Sequence, residues 1–221
     1  MSTIAIIGAG PGLGLSLAKV FGAHGYDVAL ISRDRAKLDG LVDILAEEGV
    51  TAEAFPTDVR DHAGLDRALQ AAAARFGGID VLEFSPYAGL VRVQPSEVTV
   101  ENLRPPLEEL LLGAVTAVQA VLPGMLERGS GTLLFTTGGG AIQPYPMLAT
   151  LNIAQAGLRN WVHNLHNTLA DKGIYAGTVA INVMIAAQAP EGYPHRSPDD
   201  IAAIYWDLHT RRNQAEVVIG D

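Results

Sequence analysis

The chain has 221 residues, 48% of them hydrophobic and 18% charged, with a net charge of −9 and no cysteine. That much apolar surface offsets the entropy of ordering and excludes a disordered chain. The acidic balance argues against nucleic acid or an anionic membrane as partner, because both call for a basic face; the missing cysteines exclude disulfides, a thiol nucleophile and thiolate metal ligands.

The longest uncharged run, Gly129 to Leu158, is broken by Pro144 and Pro146. Leu110 to Leu126 carries Gln119 and Pro123 and falls short of the roughly 20 apolar residues of a membrane span. No basic region precedes the first apolar stretch, as a secretory signal would require. The expectation is a cytoplasmic protein with no membrane partner.

In chain order, Thr3 to Ile7 is a continuous apolar run that suits a strand buried on both faces. It enters a glycine-rich turn, Gly8 to Gly14, and a helix with Leu13, Leu17, Val20 and Phe21 on one side, ended by Gly25. A second strand, Val28 to Ile31, leads through Ser32-Arg33-Asp34 to a helix carrying Leu38, Leu41, Val42 and Leu45. Ala52 to Phe55 is a third strand, Asp61 caps a helix from about His62 to Phe76, and Asp80 to Phe84 is a fourth strand. There follow a long helix, Leu107 to Leu126, a strand at Thr132 to Thr136, a helix from Leu151 to Ala170 and a strand from Tyr175 to Val183. Ser197-Pro198 opens a helix that runs to about Arg212, and Ala215 to Ile219 is the last strand. Such alternation predicts an α/β, Rossmann-type, doubly wound parallel sheet of about seven strands with helices on both faces. No repeat or linker divides the chain, so one domain over residues 1–221 is expected.

A glycine turn between a buried strand and a helix lets backbone N–H groups approach a phosphate, and the helix dipole favours its charge. The residues after the second strand meet the adenosine ribose in such a fold. An acid there would mark NAD. Ser32 and Arg33 instead suit a 2′-phosphate, so NADP is expected over NAD.

The Gly8/Gly12/Gly14 spacing, Ser32-Arg33, the Thr57-Asp58-Val59 turn and the strand order together resemble the short-chain dehydrogenase/reductase family along the whole chain. The resemblance implies that Asp58 and Val59 contact the adenine. The expected cofactor-binding set is Gly8, Gly10, Pro11, Gly12, Leu13, Gly14, Ser32, Arg33, Asp58, Val59, Ser85 and Gln155, with Asn152 as a further hydrogen-bonding group near the nicotinamide ribose. It also implies a homodimer or homotetramer, built on the helices Leu107–Leu126 and Leu151–Ala170.

Aligned without a gap from Gly131 to Gly157, the family's catalytic Ser, Tyr and Lys fall on Gly138, Leu151 and Gln155, and counting back from Gly113 puts its Asn at Leu110. Lys19, Lys37 and Lys172 are the only lysines, and none follows a tyrosine by four residues, so no Tyr-x-x-x-Lys pair exists in any register. The motif after the fourth strand reads Ser85-Pro86-Tyr87-Ala88-Gly89, the sixth strand runs into Ile181-Asn182, and Met184 to Arg196 is short for a substrate cover. Tyr145 and Tyr87 are the candidate replacement acids, with Tyr193 and His195 in the shortened cover behind them. His163 and His166 share a helix face, but without a third ligand they suggest a solvated or subunit-interface face and no metal. Three readings remain open: a divergent NADP-dependent oxidoreductase of a small carbonyl, enone or imine; a cofactor-binding sensor or partner without turnover; and non-redox chemistry on the same scaffold.

Overall fold

The structure, a computed structural model, describes residues 2–87 and 89–220. Seven strands make one parallel sheet: β1 (Ser2–Ile7), β2 (Tyr26–Ile31), β3 (Ala52–Ala54), β4 (Val81–Phe84), β5 (Gly131–Gly138), β6 (Ile174–Ile181) and, after a small pair β7 (Met184–Ile185) and β8 (His195–Arg196), β9 (Glu216–Ile219). Their order across the sheet is β3-β2-β1-β4-β5-β6-β9, the doubly wound arrangement expected from the alternation. The order reverses between β1 and β4, and ligands of such sheets bind at the carboxyl ends of the strands there.

Period-two alternation sorts the core into two layers. Ala5, Ile7, Leu82, Phe84, Leu133 and Phe135 face α3 (His62–Phe76), α5 (Gly113–Arg128) and α6 (Ala149–Leu169). Ile4, Ile6, Val28, Leu30, Val81 and Leu134 face α1 (Leu13–Ala23), α2 (Arg35–Glu47) and α7 (Pro198–Arg211). Side-chain caps start the helices where the sequence places them: Asp61 accepts from the Gly64 N–H at 2.9 Å and Ser197 from the Asp200 N–H at 3.1 Å.

One helix starts earlier than the sequence pattern suggests. α4 (Val100–Pro106) precedes the expected start at Leu107, opened by a reciprocal cap between Thr99 and Asn102. Pro105 and Pro106 read as a break in sequence because they lack N–H donors and crowd the preceding turn. In the fold the chain stays helical through them, and the ladder resumes as a π-helical segment, Leu107–Leu112, before α5. Val100 to Arg128 is thus a continuous helix of 29 residues, apolar enough by composition to match a membrane span, and it packs against α3 and α6.

β4 carries an acid through the middle of the sheet. Glu83 is fully buried, flanked by Ile6 of β1 and Leu134 of β5, on the layer shared with α1 and α7. Burial pushes its carboxyl from an ordinary 4.5 up to about 8, against the opposing hydrogen bonds of Ser85 and Thr136. The unfolded chain releases this proton near 4.5, whereas the native protein keeps it to about 8. The contribution of Glu83 to stability is therefore expected to fall as pH rises through that window, by on the order of a few kcal/mol, and Glu83→Gln is expected to remove that contribution while leaving the opposite trend of His209, whose buried imidazole is held down at about 4, in both proteins. Chemical denaturation of both proteins at several pH values checks this; a difference between them that does not shift in favour of the variant as pH rises from about 4.5 to about 8 contradicts it.

Candidate cofactor and active site

The glycine turn sits over the β1/β4 switch point. Gly8 has φ 95°, and a Cβ there would lie 2.5 Å from the Ser85 carbonyl oxygen and 2.7 Å from Pro86 Cα, so only glycine lets β1 leave the sheet this close to the end of β4. The Gly8 and Ala9 N–H groups both donate to the Ile31 carbonyl, at 2.9 and 3.1 Å, and tie the turn to β2. A Cβ on Gly14 would stand 2.9 Å from Ala9 Cα, so the first turn of α1 presses onto the loop. Nothing lies within 4 Å of the Cβ position of Gly12, and Gly12 caps α1 without any side-chain hydrogen bond. The helix N-terminus therefore keeps donors for a ligand beside an open space.

At the adenosine end, Ser32 is held by its carbonyl, which accepts from the Thr57 N–H at 2.9 Å, and Arg33 is exposed. Asp58 is chelated by Arg60, whose Nε and Nη2 donate at 3.0 and 2.7 Å; this pairing, with a weaker contribution from Arg33, holds the carboxyl down at about 2. Val59 packs where a Cβ of Gly113 would otherwise be, at 2.7 Å from Val59 Cγ2. Burial raises the pKa of Glu109, on the π-helical segment, while the charges of Arg33 and Arg60 oppose the rise. Arg60 and Glu109 were not read from the sequence as members of this cluster. Arg60 stood two residues from Asp58, a legible signal; Glu109 lies on the π-helical segment, about 50 positions away in sequence, and no local signal tied it to the cluster.

The far end of the site is built from side-chain amides. Gln155 Oε1 accepts from the Gly138 N–H at 3.1 Å and occupies the space beside that glycine. A Cβ on Gly139 would lie 2.5 Å from Asn182 Oδ1, and one on Gly140 would fall on Asn152 Oδ1. Three successive glycines thus admit three carboxamides to the end of β5. Asn152 is 7% exposed; its Nδ2 donates to the Tyr145 carbonyl at 2.7 Å, whereas its buried Oδ1 has no hydrogen-bond partner among the described residues. Tyr145 hydroxyl lies 3.5 Å from Asn182 Oδ1, which brings this candidate acid to the amide group. Leu110 and Leu151 contribute apolar surface only, Leu110 being buried and Leu151 partly so.

The other candidates are scattered. Tyr87 is 73% exposed on the loop after β4, and Ala88 of the same motif lies outside the described residues. Tyr193 is exposed, and His195 stands in β8, which pairs with β7. The solvated-face reading of His163 and His166 is corrected, because both turn toward the sheet. His166 Nδ1 bonds the Ala176 carbonyl at 2.8 Å, and His163 Nε2 lies 3.6 Å from Glu216. The residue that sequence reasoning passed over altogether is Glu83. Ser85 Oγ lies 2.9 Å from Glu83 Oε2, Thr136 Oγ1 lies 3.0 Å from Glu83 Oε1, and Tyr205 hydroxyl lies 2.6 Å from Thr136 Oγ1. An acid inside an otherwise apolar strand run was the available signal.

Gly8→Ala tests the closeness of the turn. A methyl at that φ, driven against the backbone of β4, is expected to cost several kcal/mol and to displace the loop. Thermal unfolding checks this, and a midpoint within a degree or two of wild type contradicts it.

The profile of the family described as short chain dehydrogenase matches residues 2–190. A fatty acyl-CoA reductase of Mycobacterium tuberculosis (strain ATCC 25618 / H37Rv) is 26% identical over 200 residues, covering 86% of this chain and 67% of its own length. The L-sorbose reductase of Gluconobacter frateurii, solved with NADPH and L-sorbose, superposes with a TM-score of 0.90 at 21% identity, covering 100% of this chain and 95% of that one. An alcohol dehydrogenase of the archaeon Thermococcus sibiricus, solved with 5-hydroxy-NADP, gives 0.87 at 22% identity, covering 99% and 96%. Sheet order, glycine turn and sequence match agree: the chain belongs to the short-chain dehydrogenase/reductase family.

Proposed function

We propose that the protein is an NADP(H)-dependent oxidoreductase with a non-standard active site, acting on a small carbonyl, enone or imine. The observation that carries this reading is the pairing of a fitted nucleotide cradle with an amide-built reaction end. The cradle is the uncapped N-terminus of α1 over the open space at Gly12, with Gly8, Gly10, Pro11, Leu13 and Gly14 shaping it. Ser32 and the exposed Arg33 would hold the 2′-phosphate, Asp58 and Val59 the adenine, and Ser85 and Gln155 the nicotinamide side. When bound, NADP(H) supplies or accepts a hydride.

The chain's own residues then bind and orient. The carboxamides of Gln155, Asn152 and Asn182 are neutral at every working pH; their N–H groups polarise a carbonyl or imine but do not release a proton. Tyr145, against Asn182, is the group on this wall with a proton to give. A pre-activated acceptor such as an iminium needs none, since juxtaposition alone supplies several kcal/mol. Tyr87 is the second candidate acid.

A second reading, a cofactor-binding sensor or partner protein without turnover, draws on the same amides, because positioned acid–base catalysis is what they lack. The protein on either reading is one cofactor-binding domain over residues 1–221 in the cytoplasm, and a homodimer or homotetramer. Leu112, Leu126 and Ile153, each about two-fifths exposed on the long helix and α6, support the association.

Fluorescence titration with NADPH and NADH tests the cofactor. NADPH is expected to bind tenfold or more tightly than NADH, and Arg33→Ala to erase that difference, the size of one charge-assisted hydrogen bond. Equal affinities in the wild type contradict it. With carbonyl, enone and imine substrates, Tyr145→Phe is expected to lower kcat by 10²-fold or more if Tyr145 is the acid. Wild-type turnover of none of these classes favours the second reading. Light scattering of a 23.3 kDa monomer contradicts the proposed association.

A further inference from the structure

Ser85 backs the glycine turn and its hydroxyl bonds a buried acid, and this inward bond is left unused by the proposed chemistry, which employs Ser85 only on its cofactor side. The Ser85 N–H donates to the Ile7 carbonyl at 2.8 Å, and its own carbonyl fills the space that a Gly8 side chain would need. Its hydroxyl joins a chain that runs inward through Glu83 and Thr136 to Tyr205 of α7. Glu83 and Tyr205 are both fully buried. The surroundings of Glu83 are otherwise apolar: β1 offers Ile6, β5 Leu134 and α1 Leu17 to that layer. The titratable groups on this layer are Tyr205 and His209 of α7, Tyr26 of β2 and Tyr175 of β6; Tyr205 joins the chain through Thr136, His209 bonds Thr132 Oγ1 at 3.0 Å, and no charged side chain of the described residues contributes to the state of Glu83.

Two hydrogen-bond directions are open to this chain. With a protonated carboxyl, Tyr205 donates to Thr136, Thr136 to Glu83 Oε1, and the acid proton on Oε2 to Ser85 Oγ. The Ser85 O–H is then free to donate outward. With an ionised carboxyl, both oxygens only accept, and Ser85 must turn its proton inward. We propose that Glu83 is a positioning residue for the cofactor site: it aims the Ser85 hydroxyl, as a donor, at the nicotinamide half of bound NADP(H). The proposal rests on the reading that the site takes this cofactor. Burial keeps Glu83 protonated to about 8 and the Tyr205 phenol well above its ordinary range, so the outward arrangement holds at neutral pH and fails in alkali.

NADPH is titrated by fluorescence at about pH 7 and about pH 9.5 against wild type, Glu83→Gln and Ser85→Ala, each checked for folding by circular dichroism. Wild-type affinity is expected to fall about three- to tenfold at the higher pH, the worth of one hydrogen bond. Glu83→Gln, whose carboxamide donates to Ser85 at every pH, is expected to bind equally at both. Ser85→Ala, which leaves the buried acid in place, is expected to be flat at the weaker level, and it carries the test if Glu83→Gln does not fold. A wild-type affinity that does not change with pH, or an alkaline loss that survives in either variant, overturns the proposal while leaving the cofactor assignment standing. No binding by wild type at either pH overturns both.

Discussion

The cofactor end depends on how closely two strand ends approach each other. Gly8 turns out of β1 directly against the Ser85–Pro86 backbone of β4, a contact that any Cβ would occupy. The approach places the N-terminus of α1 over the switch point of a parallel sheet, where strand ends and helix dipole converge on one anionic ligand. From it follow the position of Ser85 beneath the loop, the access of Ser85 to Glu83, and the bond from Glu83 across to β5 through Thr136. The nucleotide cradle and the buried acid thus share one piece of backbone.

The two ends of the site are built on different physics. The end proposed for the adenosine is charged and open, with Arg33 and the Asp58–Arg60 pair in partial contact with water. A guanidinium there would recognise an anion by charge, and salt would screen it. The reaction end carries no ion pair among its described residues; neutral amides meet backbone across three glycines. Such groups fix orientation at little desolvation cost and leave proton supply to a hydroxyl or to the substrate. The one strongly shifted acid nearby, Glu83, is buried behind the wall, where it bonds Ser85 and Thr136.

The sheet, its order and most helix starts were legible because they rest on local rules: apolar runs for buried strands, Asp61 and Ser197 for caps, a glycine cluster for the turn. Val100–Pro106 was not, because Pro105-Pro106 reads locally as a stop, whereas in the fold the segment is opened by the Thr99–Asn102 cap and packs against α6. Glu83 was counted as one more residue of a strand, since its burial and its bond to Thr136, 53 positions away, are tertiary facts. The same holds for Gln155 reaching Gly138 and Asn182 reaching Gly139. Sequence named Gln155 and Asn152 as polar groups near the ribose, but their convergence on three glycines is visible only in the fold.

The central claim is that one continuous site runs from Arg33 to the amide cluster, with its middle fixed by Gly8 and Ser85. A crystal structure with NADPH bound tests it most directly. Pyrophosphate is expected over Gly12 and Leu13, the 2′-phosphate on Ser32 and Arg33, and the nicotinamide between Ser85 and Gln155. A nucleotide ordered only at its adenosine half, or seated away from the glycine turn, would contradict it.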